Sequence, residues 1–262
     1  MMRRSSSVRY NAMSTWLLAL LFIVGAICVG FVPSQLLRKH YGGLQPADSR
    51  ALASDVSARI GVLHGLILSL VFASAHSGMQ SFENDVELEA SAAAHVHFNA
   101  KRYGAPELQA ATIDYLTAAI DKDWPMLRDR NELSAEGWTA WRRMLEGSLA
   151  LNPANRHEQL LADRIQADIW VVRDLRQLRG LEAAKSLSGE FWVIAIVGLI
   201  LIATLLFVHE IKPLNQAIMA MYSGFTGLTL FLIYDMSHPF FGALAIDPSA
   251  FQMALDSIRS GI

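Results

Sequence analysis

Four apolar runs, residues 16–32, 60–75, 191–208 and 214–234, interrupt an otherwise polar chain, and residues 77–188 separate the second from the third. An α-helix rises about 1.5 Å per residue, so about 20 apolar residues cross a hydrocarbon core of about 30 Å. Three of the runs approach or reach that length. The second is shorter, but its helical pattern continues through residues 77–82. This layout predicts an all-α membrane protein with four transmembrane helices and a helical cytoplasmic domain inserted between spans two and three.

Composition narrows the class further. The chain is 53% hydrophobic and 18% charged, with mean hydropathy +0.30, and its apolar residues are blocked rather than dispersed. A net charge of −2 gives no basic stripe to steer a nucleic acid, so none is expected as a partner. Cys28 is the single cysteine, which rules out an intrachain disulfide and a thiolate metal cluster. Arg3, Arg4 and Arg9 precede the first run as in a signal peptide. That run is long, however, and ends in Val32-Pro33-Ser34-Gln35 without a small-x-small cleavage site, so a retained span is expected. Lys and Arg are denser in the N-terminal segment and beside the third run (Arg173, Arg176, Arg179, Lys185) than in the last connection, which has only Lys212. The expectation is a multi-pass protein of the bacterial inner membrane with both termini cytoplasmic.

Within residues 77–188 every segment reads as helix. Residues 33–57 read as a connection punctuated by Gly42-Gly43 and Pro46. Helix is expected over 81–103, and again from Pro106 to Ile120, with Trp124-Pro125 breaking the chain. Ser134 is a candidate N-cap for 135–151, and Asn152-Pro153 marks the start of a long helix towards Ser186. Leu161, Ile165, Ile169, Val172, Leu175, Leu178 and Leu181 form its apolar stripe, leaving Arg164, Arg173, Arg176 and Arg179 for its other faces.

The spans differ in polarity. The third is nearly all aliphatic and suits lipid, whereas the second (Gly61, His64, Gly65, Ser69, Ser74) and fourth (Ser223, Gly224, Thr226, Gly227) carry small and polar residues, which makes them the inner ones. His64 has two readings, a hydrogen bond to a neighbouring helix or a lining position in an ion path. Asp235 ends the fourth span, where the helix C-terminus is negative, so it calls for a partner. Glu83, Glu87 and Glu89, with Asp85, make an acidic patch that reads as solvated surface or a cation site.

Enzymatic signatures are missing. There is no phosphate-cradling glycine loop and no nucleophile elbow. His157-Glu158 and His209-Glu210 begin like zinc-protease motifs but lack the second histidine, and His95 and His97 fall on different helix faces. No catalytic residue, metal or cofactor is expected.

Two segments carry a resemblance. One is Gly61-Val62-Leu63-His64-Gly65 running on to Val86-Glu87-Leu88-Glu89-Ala90. The other is Tyr234-Asp235-Met236-Ser237-His238-Pro239-Phe240-Phe241-Gly242, followed by Ile246-Asp247-Pro248. Together with the two-span, helical-domain, two-span layout, they resemble the bacterial bestrophin-like domain family over residues 58–256. The most specific element is Asp235, Pro239, Phe240 and Gly242. A basic residue is common before that proline, where this chain has His238, and Glu89-Ala90-Ser91 stands where Glu-Ala-Asn is common. The expected division is therefore an N-terminal part over 1–57 with the first span and a connecting loop, a bestrophin-like region over 58–256 with spans at 60–76, 191–208 and 214–235 and an extramembrane domain over 77–188, and a tail over 257–262. Through kinship with bestrophins the resemblance also implies a homo-oligomeric ion channel or channel-like pore in the lipid bilayer that passes small ions along the second span. A non-conducting scaffold or sensor that binds a cytoplasmic partner is the alternative.

Overall fold

The computed structural model describes residues 4–41, 46–184, 189–205, 208 and 212–261, with side chains from residue 15 onward. Gly42-Gly43, Lys185 and the His209-Glu210 fragment lie outside the described residues. Among the described residues the ordered elements are helical, in the sequence α1 (Arg4–Tyr41), α2 (Ala47–Tyr103), α3 (Pro106–Ala118), a π-helical turn (Ala119–Asp123), α4 (Trp124–Arg130), α5 (Ala135–Leu149), α6 (Arg156–Ala184), α7 (Gly189–Leu205), α8 (Pro213–Met236) and α9 (Ser249–Ser260). Four of the described helical stretches are long and apolar enough to cross a membrane. The chain divides into two compact units.

The first unit takes residues 1–77, 186–237 and 242–244. Here α1 packs along α8 and α7. A Cβ on Gly227 would lie 2.6 Å from the Phe22 carbonyl oxygen and 2.8 Å from Ala26 Cβ, and one on Gly30 would strike Ser223. Small residues thus let α1 and α8 approach backbone to backbone. Phe22 meets Trp192, Phe231 and Tyr234 with ring centroids 5.5–6.2 Å apart, beside a core of Leu68, Ala195, Leu230 and Ile233. The expected pairing of inner spans is altered accordingly. The glycines of the fourth span are taken by the first, and the second span is the most open of the four, with 11% of its most apolar window buried against 33% for α8. The expected 33–57 connection is mostly helix: α1 continues through Pro33 to Tyr41 and α2 begins at Ala47. A proline costs one backbone bond and some strain, while the remaining bonds of an apolar helix are retained.

The second unit takes residues 78–185, 238–241 and 245–262. Its core is Phe82, Val86, Val96, Leu108, Tyr115, Leu127, Met144, Ile165, Ile169 and Phe251 with their neighbours. Ser134 caps α5, its hydroxyl accepting the Gly137 N–H at 3.0 Å. Three expectations are corrected. Trp124-Pro125 does not break the chain, because the π-helical turn widens the helix just before it and Pro125 falls in a first turn, where no N–H is needed. The start of α6 moves from Asn152-Pro153 to Arg156. Asn155 accepts the Glu158 N–H at 3.0 Å and Glu158 accepts the Ala154 N–H at 2.8 Å, a reciprocal cap that Asn152 does not form. Residues 257–262 are not a free tail, since most of them complete α9, whose Phe251, Ala254 and Leu255 are buried in this unit.

Candidate functional site

In the first unit, His64 ties three helices together. It is 3% exposed, with Nε2 2.9 Å from the Ala195 carbonyl oxygen of α7 and Nδ1 3.1 Å from the Tyr222 hydroxyl of α8. A carbonyl can only accept, so Nε2 carries the proton, and a neutral ring then receives the Tyr222 O–H at Nδ1. Gly198 makes room for the ring, since a Cβ there would fall on it. Gly61, Gly65, Ser69 and Ser74 do not join His64. A Cβ on Gly61 or Gly65 would meet nothing within 4 Å, Ser69 is exposed and bonds back to the Gly65 carbonyl at 2.8 Å, and Ser74 is exposed. The predicted set therefore splits between a buried histidine and an open face of small and polar residues.

The membrane-edge element also resolves into two parts. Asp235 is buried and accepts the backbone N–H groups of Ala243 and Leu244 at 3.2 and 3.0 Å. Two such donors offset the repulsion between a carboxylate and the C-terminus of α8. Gly242 has φ +99°, and a Cβ there would collide with the Asp235 carboxylate, so backbone conformation and space both demand glycine. In the second unit, the carbonyl of His238 accepts the Phe241 N–H at 2.9 Å and that of Pro239 accepts the Ile246 N–H at 2.8 Å. Phe240 is buried edge-on against Phe82 and Trp124.

Among the described residues, the densest polar site lies in the second unit. Glu89 of α2, Tyr115 of α3, Asp123 of the π-helical turn and Arg176 and Arg179 of α6 are all fully or almost fully buried. Arg179 Nη2 donates to Glu89 at 2.9 Å and to Asp123 at 3.1 Å. Arg176 holds both Asp123 oxygens, one of them at 3.1 Å, and also donates to the Ser134 carbonyl at 3.0 Å. The Tyr115 hydroxyl donates to Glu89, and the Ser134 N–H donates to Asp123 at 3.0 Å. Two cations balance two anions. The guanidinium of Arg176 lies 4.8 Å from the Trp138 ring centroid, and that of Arg179 lies 4.7 Å from Trp124 and 5.2 Å from Phe251. Rings thus cover cations that water would otherwise solvate. Gly137 completes the fit, because a Cβ there would run into Arg176.

Burial pushes the Glu89 carboxyl above its usual range, against the pull of Arg179 and the Tyr115 bond. Burial and the adjacent Glu89 raise the Tyr115 phenol well above its ordinary value, so it remains a donor. Burial works against the charge on Arg179, but Glu89, Tyr115 and Asp123 outweigh it and raise its pKa. Glu89 Oε2, Arg176 Nε and Arg179 Nε and Nη1 have no hydrogen-bond partner among the described residues.

Glu89 therefore leaves the predicted acidic patch. Glu83 and Glu87 are exposed, whereas Glu89 points into the core, since Val86, Glu89, Ala90 and Ala93 share the buried face of α2. The arginines are the larger surprise. The buried line of α6 runs Ile165, Ile169, Val172, Arg176, Arg179 and Ala183, while Leu181 is 61% exposed. A three-four spacing carried past Val172 would have reached both arginines, but hydrophobicity alone favours Leu175, Leu178 and Leu181.

A family model described as the Bestrophin-like domain matches residues 21–251. The chain belongs to that family. The match opens inside the first apolar run, so it takes in the first span as well as the 58–256 region that carried the resemblance. His64, Glu89, Asp123, Arg176, Arg179, Asp235 and Gly242 of this bestrophin-like chain all fall within it. No curated protein and no solved structure matches the chain.

Proposed function

We propose that this bestrophin-like protein is a homo-oligomeric ion channel or channel-like pore of the bacterial inner membrane, with both termini and the second unit cytoplasmic and without catalytic activity. One observation carries the reading. The second span presents Gly61, Gly65 and Ser69 at four-residue steps on a face where, among the described residues, nothing would meet a Cβ on either glycine and Ser69 is exposed. Small and polar residues gain nothing from contact with lipid, so such a face suits a neighbouring copy or a wet axis. Family membership supports the same reading only by kinship, because fold does not transmit function. The test is the oligomer mass in detergent together with ion flux into liposomes from the same preparation. A monomer, or an oligomer that leaves a chloride or potassium gradient intact, overturns it. An oligomer without flux would instead support a scaffold that binds a cytoplasmic partner.

A further inference from the structure

A second polar site lies apart from the buried charge network, still within the second unit. His95, Phe98, Asn99 and Arg102 stand at i, i+3, i+4 and i+7 on one face of α2, and Arg164 and Asp168 stand at i and i+4 on α6. These six residues line a pocket of about 570 Å³. Its interior is polar. Asn99 is 7% exposed. Asp168 Oδ2 is shielded and has no hydrogen-bond partner among the described residues. Buried polar groups are nearly always bonded, so an orphaned carboxylate oxygen in a concavity that also holds a nearly buried amide points to a ligand that bonds them.

The rim specifies the charge of that ligand. Arg102 and Arg164 are exposed, and neither forms an ion pair among the described residues. Burial raises the Asp168 carboxyl, while His95 and Arg164 pull it down. The pocket therefore joins exposed guanidinium groups, which favour carboxylate or phosphate, to an acceptor carboxylate and an amide, which favour N–H donors. Phe98 is half-buried and adds an apolar wall. The volume exceeds what a simple inorganic ion needs and lies in the range of small-molecule sites, roughly 300–1,000 Å³.

We propose that this pocket binds a small organic anion that also carries N–H donors, with Arg102 and Arg164 on the anionic group and Asp168 and Asn99 on the donors. An α-amino acid and a nucleoside monophosphate share that chemistry. The inference does not depend on the pore reading, because its readout is binding and not conduction.

The experiment is calorimetric titration of the full-length protein in detergent with GMP, AMP, L-glutamate and inorganic phosphate. Saturable binding of GMP or AMP identifies a nucleotide site, and binding of L-glutamate alone identifies an amino-acid site. Arg164→Ala, an exposed position, should weaken the bound probe about tenfold, the loss of one charge-assisted contact. Asp168→Asn should weaken the organic probe by a similar factor while leaving inorganic phosphate unchanged or tighter, since a negative charge has been removed. Both variants must keep the parent helical circular dichroism and oligomer mass, and Arg102→Ala replaces any that does not. Failure of all three organic probes to saturate, or phosphate binding alone, overturns the proposal. So does organic-probe binding that Arg164→Ala or Asp168→Asn leaves unchanged.

Discussion

The two units satisfy their buried polar groups by different means. In the first, His64 and Asp235 are matched to backbone or hydroxyl partners: His64 to the Ala195 carbonyl and the Tyr222 hydroxyl, Asp235 to two backbone N–H groups. In the second, four charges from α2, the π-helical turn and α6 are buried against one another and covered by aromatic rings. Backbone partners are held by the helices and loops that carry them, so losing one side chain leaves little stranded charge. A set of side-chain charges that relies on the backbone only at Ser134 has little such reserve. Removing one member strands its partners where water cannot reach, so the second unit should be the more fragile to single substitutions.

Asp123→Ala should break this contrast most sharply. It removes the carboxylate shared by Arg176 and Arg179, leaving the buried Arg176 without its anion and Arg179 with Glu89 alone. Losing one partner of a buried pair costs about 3–5 kcal/mol, a large part of the stability of an ordinary domain. Chemical denaturation followed by circular dichroism, with limited proteolysis of residues 78–185, should show this unit loosened. A loss below about 1 kcal/mol would mean that the network is dispensable.

Changes at the membrane edge should cost less. Asp235→Asn keeps the shape but weakens two charge-assisted bonds, and a loss of about 1–2 kcal/mol is expected. Gly242→Ala meets both a positive φ and the Asp235 carboxylate, with an expected loss of about 1–3 kcal/mol. Asp247→Asn is the control: Asp247 accepts only an exposed Ser249 N–H in its own turn, so the change should stay within about 0.5 kcal/mol. Equal melting temperatures for Asp235→Asn and Asp247→Asn would remove the special status of Asp235.

Gly65→Leu sharpens the comparison from another side. Among the described residues nothing lies within 4 Å of a Cβ on Gly65, so the thermal stability of the isolated chain should change little. If copies meet across this face, the added side chain blocks their approach and the oligomer mass should fall. Gly227→Leu should do the reverse and damage the protomer itself, because its Cβ would meet α1 backbone. Matching effects from the two substitutions would erase the distinction between inner and outer glycines.

The features legible in the sequence were those set by local pattern. Apolar run length pointed to the spans, Ser134 announced the start of α5, and Asp235 at a helix end called for a partner that the backbone supplies. Features that depend on tertiary context were not legible. Arg176 and Arg179 occupy core positions because Asp123, Glu89 and three rings converge on them from other helices, and no rule local to α6 favours arginine over Leu175 or Leu178. The destination of Glu89 was hidden for the same reason, its sequence neighbours Glu83 and Glu87 being exposed. The helix over 249–260 carries Phe251, Ala254, Leu255 and Ile258 at i, i+3, i+4 and i+7. That stripe is readable, but the sequence does not say which core it joins.

The smallest expected effect concerns His97, which resembles His64 in bonding a backbone carbonyl, here Gln109 at 3.3 Å through Nδ1. Burial first, and then the charge of Lys101, hold the His97 pKa below its usual value near 6.5, while the Gln109 bond opposes them. The folded state therefore binds a proton less readily than the unfolded chain. The stability linked to His97 is complete above the unfolded pKa and is lost as pH falls through about 6.5 towards the lower folded value. One proton limits the slope to about 1.4 kcal/mol per pH unit. Replacing the ring with an uncharged partner, His97→Gln, should flatten the stability profile between about pH 6.5 and 5 and change it little at pH 8. Denaturation midpoints of both proteins across that range provide the measurement. Parallel profiles would show that His97 pays no penalty for charging, and would place the acid sensitivity of the second unit elsewhere.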